Sequence, residues 1–169
     1  MAQKNSQMPT ARRKAAPSPV APVRSAVATH QCLVLSPSYD RRNMLRTAAT
    51  DSGWRAIVCA DAETARIASS RQRFALALVD LDIDAREPAV EREYRDLLRE
   101  LASQGDVLLA ICGNDERGSD EMFARQLGAW MYLAGVTASD DLAMVCGEAR
   151  QIADKLAAAE ARASPTQEV

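Results

Sequence analysis

Six apolar residues in an unbroken row, Phe74-Ala75-Leu76-Ala77-Leu78-Val79, run into three acids at alternate positions, Asp80, Asp82 and Asp84. An apolar run this short, with no polar residue on either face, suits a strand buried on both sides. Such strands belong to parallel sheets covered by helices. The acids stand where the strand would leave the sheet. That carboxyl edge is where ligands and chemistry collect in open α/β sheets. Asp80 is therefore the first residue to ask about.

The rest of the chain repeats the pattern. Apolar runs at 32–35, 54–59, 107–112 and 130–134 read as four more strands. Pro37 stops the first, having no N–H for a central ladder. Helices are expected at 39–51, 62–70, 91–103, 119–127 and 139–162, with Ser38, Asp61, Ser119 and Ser139 as their N-caps. Gly53, Gly105 and Gly128 close three of them. Within 91–103, Tyr94, Leu97, Leu98 and Leu101 form one apolar stripe. The last helix carries Leu142, Val145, Ala149, Ile152 and Leu156 at steps of three and four, and its end past Ile152 is free to meet a partner helix. Five alternating strand–helix pairs predict an α/β fold, a doubly wound parallel sheet with helices on both faces.

Three regions follow. Residues 1–29 hold Pro9, Pro17, Pro19 and Pro22 and too little apolar content to offset ordering entropy, so a disordered basic tail is expected. Residues 30–157 form the domain, and 158–169 are the helix end and a frayed C-terminus. Charge is split the same way. Lys4, Arg12, Arg13, Lys14 and Arg24 face no acid up to residue 30, whereas the remainder carries the other 16 basic residues and all 23 acids. Arg12-Arg13-Lys14 without aromatics is a weak nucleic-acid signal, so a tether is the favoured reading and nucleic acid is not expected.

Several classes drop out on residue counts. His30 is the only histidine, which argues against zinc ligand sets and against catalytic triads with a histidine base. Cys32, Cys59, Cys112 and Cys146 form no CxxC and sit in apolar surroundings, as buried thiols of a reducing compartment do; a cytoplasmic location is expected. No run of about 18 apolar residues suggests a membrane span. No GxGxxG or GxxxxGK[ST] loop is present, so a small-ligand-binding or enzymatic doubly wound domain is the least favoured class.

The order and spacing of these elements resembles the receiver domain of bacterial response regulators, over about residues 31–155. The stretch 74–82 looks like that family's third strand, ending in the phospho-accepting aspartate, here Asp80. Gly128-Ala129-Trp130-Met131-Tyr132-Leu133 looks like its entry to the fifth strand. The resemblance implies a flavodoxin-like fold, a five-stranded parallel sheet of order 2-1-3-4-5. It also implies a site at the carboxyl edge lined by Ser36, Pro37, Asp80, Asp82, Cys112 and Gly135. The family has an acidic pair after strand one that holds magnesium; here Ser36-Pro37 stand there. Its Thr or Ser at the end of strand four falls on Cys112 here, or on Ile111 if the register slips by one, and its lysine–proline after strand five is Gly135-Val136.

Phosphoryl transfer to a carboxylate needs cationic neutralisation of the charge on the transferring group. Asp80 and Asp82 are the candidate carboxylates for Mg²⁺, with Asp84 a further helper, and Arg117 is a candidate substitute for the lysine. The favoured reading makes Asp80 a solvated remnant in a degenerate receiver that works by protein–protein contact, with a partner protein or a second copy, and is not an enzyme. The face implied for that contact includes Met122, Arg125, Gln126 and Tyr132. The alternative is a phospho-accepting switch at Asp80. Mg²⁺ enters only with that alternative, and no other cofactor is expected.

Overall fold

A computed structural model describes residues 30–83, 87–135 and 139–163. The tail 1–29, Asp84, Val136 and residues 164–169 lie outside the described residues, and with them the expectations placed there. The elements alternate: β1 (Gln31–Leu35), α1 (Tyr39–Asp51), β2 (Arg55–Cys59), α2 (Ala62–Arg71), β3 (Leu76–Asp80), α3 (Pro88–Gln104), β4 (Leu108–Gly113), α4 (Gly118–Leu127), β5 (Met131–Ala134) and α5 (Ser139–Ala163). The strands form one parallel sheet in the order β2-β1-β3-β4-β5.

Strand alternation sorts the core into two layers. Leu33, Leu35, Ala77 and Val79 pack with Tyr94, Leu97, Leu98 and Leu101 of α3. Cys32, Val34, Leu76 and Leu78 pack with Leu45, Ala48 and Ala49 of α1 and with Leu142, Cys146 and Ala149 of α5. All four cysteines are free and buried. Asp80 shares the parity of Leu76 and Leu78, so it leaves the sheet on the side of α1. That parity decides which helix can reach it.

Ser38 and Asp61 cap α1 and α2 through Arg41 N and Thr64 N. Two helix starts differ from expectation. α3 begins at Pro88, three residues early, because proline's fixed φ suits the first helical position. α4 begins at Gly118 with Arg117 in the cap position, so Ser119 lies in its first turn and is not the cap. That helix buries Asp120, whose Oδ1 accepts from Arg95 Nη2 at 2.5 Å. Burial pushes the Asp120 carboxyl up, with Arg95 opposing. The Arg95 guanidinium also lies 4.5 Å over the Phe123 ring.

Asp61 gives a pH-dependent expectation. Backbone and side-chain hydrogen bonds from Thr64 hold its carboxyl below the ordinary value. A depressed folded-state pKa means the cap stabilises above the unfolded value of about 3.9 and is lost as pH falls through the lower folded value. Asp61→Ala should cost about 1 kcal/mol at pH 7. In urea titrations the gap to wild type should narrow as pH falls below the unfolded value of about 3.9; a gap that stays constant through that range would exclude the carboxylate as the cap.

Candidate functional site

The site is built where β1, β3 and β4 end. Pro37 ends β1 and the chain turns directly into α1, so the first turn of α1 stands over the end of β3. Arg42 fastens that turn by donating from Nη1 to Ser36 O at 2.6 Å and Pro37 O at 3.1 Å. Arg41, three residues after the Ser38 cap, then points at Asp80, with Nε 2.8 Å from Oδ2. A helix N-terminus disfavours positive charge. The pairing with Asp80 supplies the compensating interaction.

Asp80 is fully buried, which corrects the expectation of a solvated strand-end acid. Its Oδ2 accepts from Arg41 Nε and from Ser36 Oγ, each at 2.8 Å. Its Oδ1 accepts from the Asp82 backbone N–H at 3.1 Å. The single Ser36 hydroxyl proton has two oxygens within reach, Asp80 Oδ2 and Ser38 O at 3.2 Å, and the charged acceptor is the stronger. Ser38 N in turn donates to Ser36 Oγ at 3.2 Å. Ser36 and Pro37 thus shape the site, one by direct contact and the other through the turn.

Asp82 is brought to the same place. Its Oδ2 lies 3.6 Å from Arg41 Nη1, and its Oδ1 accepts from Asn114 Nδ2 at 3.3 Å. Burial pulls the Arg41 guanidinium down, but the two acids outweigh it and raise it above its ordinary value. Cys112 pairs in register with Asp80, and its carbonyl accepts from Leu81 N at 2.7 Å. Burial first, and then the Asp80 charge, push the Cys112 thiol up to about 12. At neutral pH it stays a thiol, the form that is not nucleophilic.

The β4 and β5 ends meet through Gly135 N donating to Gly113 O at 2.9 Å. Gly135 has φ +60, and a Cβ there would stand 3.3 Å from Asp115 Cγ. A side chain at that position would be both strained and crowded. Gly113 makes room for Tyr132, whose Oη would lie 2.3 Å from a Cβ on it and donates to Asn114 O at 3.3 Å. Tyr132 is therefore turned towards this edge and is partly covered. Met122, at 61% exposure, and Arg125 and Gln126 lie on the outer side of α4, with Arg125 Nη2 donating to Glu121 Oε1 at 2.6 Å.

The cation at the site is Arg41. Arg117, the candidate from sequence, instead donates from Nη2 to Ile83 O at 2.8 Å and braces the chain after β3. Arg41 and Asn114 were not singled out beforehand. The available signal for Arg41 was a pair of arginines in a first helical turn, where acids are normally favoured. His30 lies at the opposite edge of the sheet, with Nε2 2.5 Å from Asp154 Oδ1.

These residues do not fit Mg²⁺. Such an ion takes carboxylates plus several waters in octahedral geometry. Here the Asp80 oxygens already accept three hydrogen bonds, and a guanidinium occupies the cationic position between Asp80 and Asp82. Among the described residues no group of three His, Cys, Asp or Glu side chains converges to hold a metal. What the arrangement does is tie β1, α1, β3 and the β4 loop together through one buried charge.

The chain matches no family model and no curated protein. Solved structures do match it. It is similar to a CheY-like response regulator receiver domain protein from Methanospirillum hungatei, at 16% identity and TM-score 0.62, over 74% of this chain and 96% of that one. The receiver domain of NtrX from Brucella abortus is 20% identical with TM-score 0.60, over 72% and 98% of the two chains. The chemotaxis protein CheY4 of Vibrio cholerae is 14% identical with TM-score 0.59, over 72% and 98%. The chain has the fold of these receiver domains. No helix among its described residues is long and apolar enough to cross a membrane.

Proposed function

We propose that this chain is a signalling module of the receiver type that works through protein contacts and does not use Asp80 as a phosphoryl acceptor. The observation that carries this reading is the closure of Asp80: it is buried, and both oxygens are engaged by Arg41, Ser36 and the Asp82 N–H. An acceptor carboxylate must present a free oxygen in line with the incoming phosphorus. Here an approach to Oδ2 requires Arg41 to leave, and Oδ1 already accepts from the Asp82 N–H. The metal that normally offsets the anionic charge has no place, and Gly135 supplies no cation.

Without a reacting group the module is not an enzyme, and its output is a surface. The exposed Met122 beside Arg125 and Gln126 supports α4 as part of that surface. The buried free cysteines support a reducing compartment such as the cytoplasm.

The test is incubation of the full chain with Mg²⁺ and a small acyl phosphate, followed by intact mass. Wild type should gain no phosphoryl group. A gain in wild type that disappears in Asp80→Asn would establish the phospho-accepting switch in its place. Met122→Asp should separately weaken self-association or partner binding in light scattering, and an unchanged profile for both would remove α4 from the contact.

A further inference from the structure

At the amino-terminal edge of the sheet, away from Asp80, lies a groove of about 430 Å³. Phe74, Ala75 and Leu108 line it from the starts of β3 and β4, and Ala153, Leu156 and Ala157 line it from α5. Along α5 the earlier apolar residues Leu142, Val145, Ala149 and Ala153 are buried, but Leu156 is 53% exposed. An apolar groove ending in an exposed leucine is surface that a further segment can cover.

The chain enters the domain at this groove. His30, the first described residue, lines it and is fixed by Asp154 and by an edge-on contact with Trp54, ring centroids 5.6 Å apart. Residues 1–29 therefore join the domain at the groove's rim. The part nearest the domain, 17–29, holds Val20, Val23 and Val27, one charge, Arg24, and no acid. Pro19-Val20 and Pro22-Val23 repeat at a spacing of three. Three residues complete a turn of polyproline II, which would set the two valines on one side. Prolines also reduce the entropy lost on docking. Val20 lies ten positions before His30, a span of about 30 Å at roughly 3.1 Å per residue, ample for a return to the groove.

We propose that residues 17–29 of this chain occupy this groove, with their valines against Phe74 and Leu156. The docked segment contains its own reporter, since trypsin cuts after Arg24 inside it and after Arg12, Arg13 and Lys14 outside it. In brief digestion of the full chain, followed by mass spectrometry, cleavage after Arg24 should be at least about tenfold slower than in the basic cluster. Leu156→Asp, at an exposed position, should raise the Arg24 rate to that of the cluster, and so should the pair Val20→Asp and Val23→Asp, which leaves the domain untouched. Equal rates in wild type would overturn the proposal. So would protection that survives both variants. Protection that fades on dilution would overturn it as well, because the segment would then belong to a second copy.

Discussion

Replacing Arg41 by alanine is expected to destabilise the protein by about 3–5 kcal/mol, the range for breaking a buried pair from one side. Asp80 is fully buried and Arg41 is largely covered, so little water is at hand to replace the guanidinium. Ser36 Oγ and the Asp82 N–H would remain, but neither carries charge. Against a typical total of about 5–15 kcal/mol, this loss is large. A further outcome identifies its cause. The joint replacement Arg41→Met with Asp80→Leu should recover much of the loss, since it removes both charges together. Urea titration of the three proteins reads all of this. A loss below about 1 kcal/mol for Arg41→Ala would mean that water screens the pair as at an exposed bridge. The closed-site reading would then lose its physical basis.

The burial of Asp80 is not legible in the sequence, for a physical reason. The central strands β1, β3 and β4 are buried and appear as unbroken apolar runs, and the partly exposed edge strands β2 and β5 as short apolar runs between helices, so β1 to β5 and their order along the chain were legible. The N-caps Ser38 and Asp61 were legible because a cap acts over three residues. Asp80 was not, because its burial depends on a residue 39 positions away. Periodicity places Arg41 on the same side of α1 as Leu45 and Ala48, four and seven residues on, but has no means of expressing a pair across two elements. Asp120 is the same case: it reads as a polar helix residue, yet Arg95 of α3 allows it to be buried. The start of α3 was misplaced for a local reason. A polar passage with a proline reads as loop, although proline at the first helical position is favourable. Chain-local rules thus recovered the scaffold. The charge pairs that decide whether Asp80 can react needed the third dimension.

The second large effect is expected at Trp54, which fastens α5 to the rest of the domain. Trp54 is buried among Leu45, Ala49, Leu142 and Cys146, and its Nε1 donates to Cys146 O at 2.9 Å. Its neighbours make two similar ties: Ser52 Oγ donates to Ala143 O at 3.1 Å, and Gly53 O accepts from Arg150 Nη1. The three residues between α1 and β2 therefore hold one side of α5 over nearly two turns. Trp54→Ala should cost about 3–5 kcal/mol, through the lost contact area and the cavity left behind. Trp54→Phe keeps most of the packing and loses the indole donor, so it should cost about 1–3 kcal/mol. Hydrogen exchange separates a local from a uniform effect. The amides of α5 should lose protection in the alanine variant more than those of β3, because β3 is held on both sides by β1 and β4. Equal loss in both elements would show that α5 does not open alone. The distinction bears on the groove at the far edge, because α5 also lines it. A helix that opens separately can alter that groove without disturbing the buried charge at Asp80.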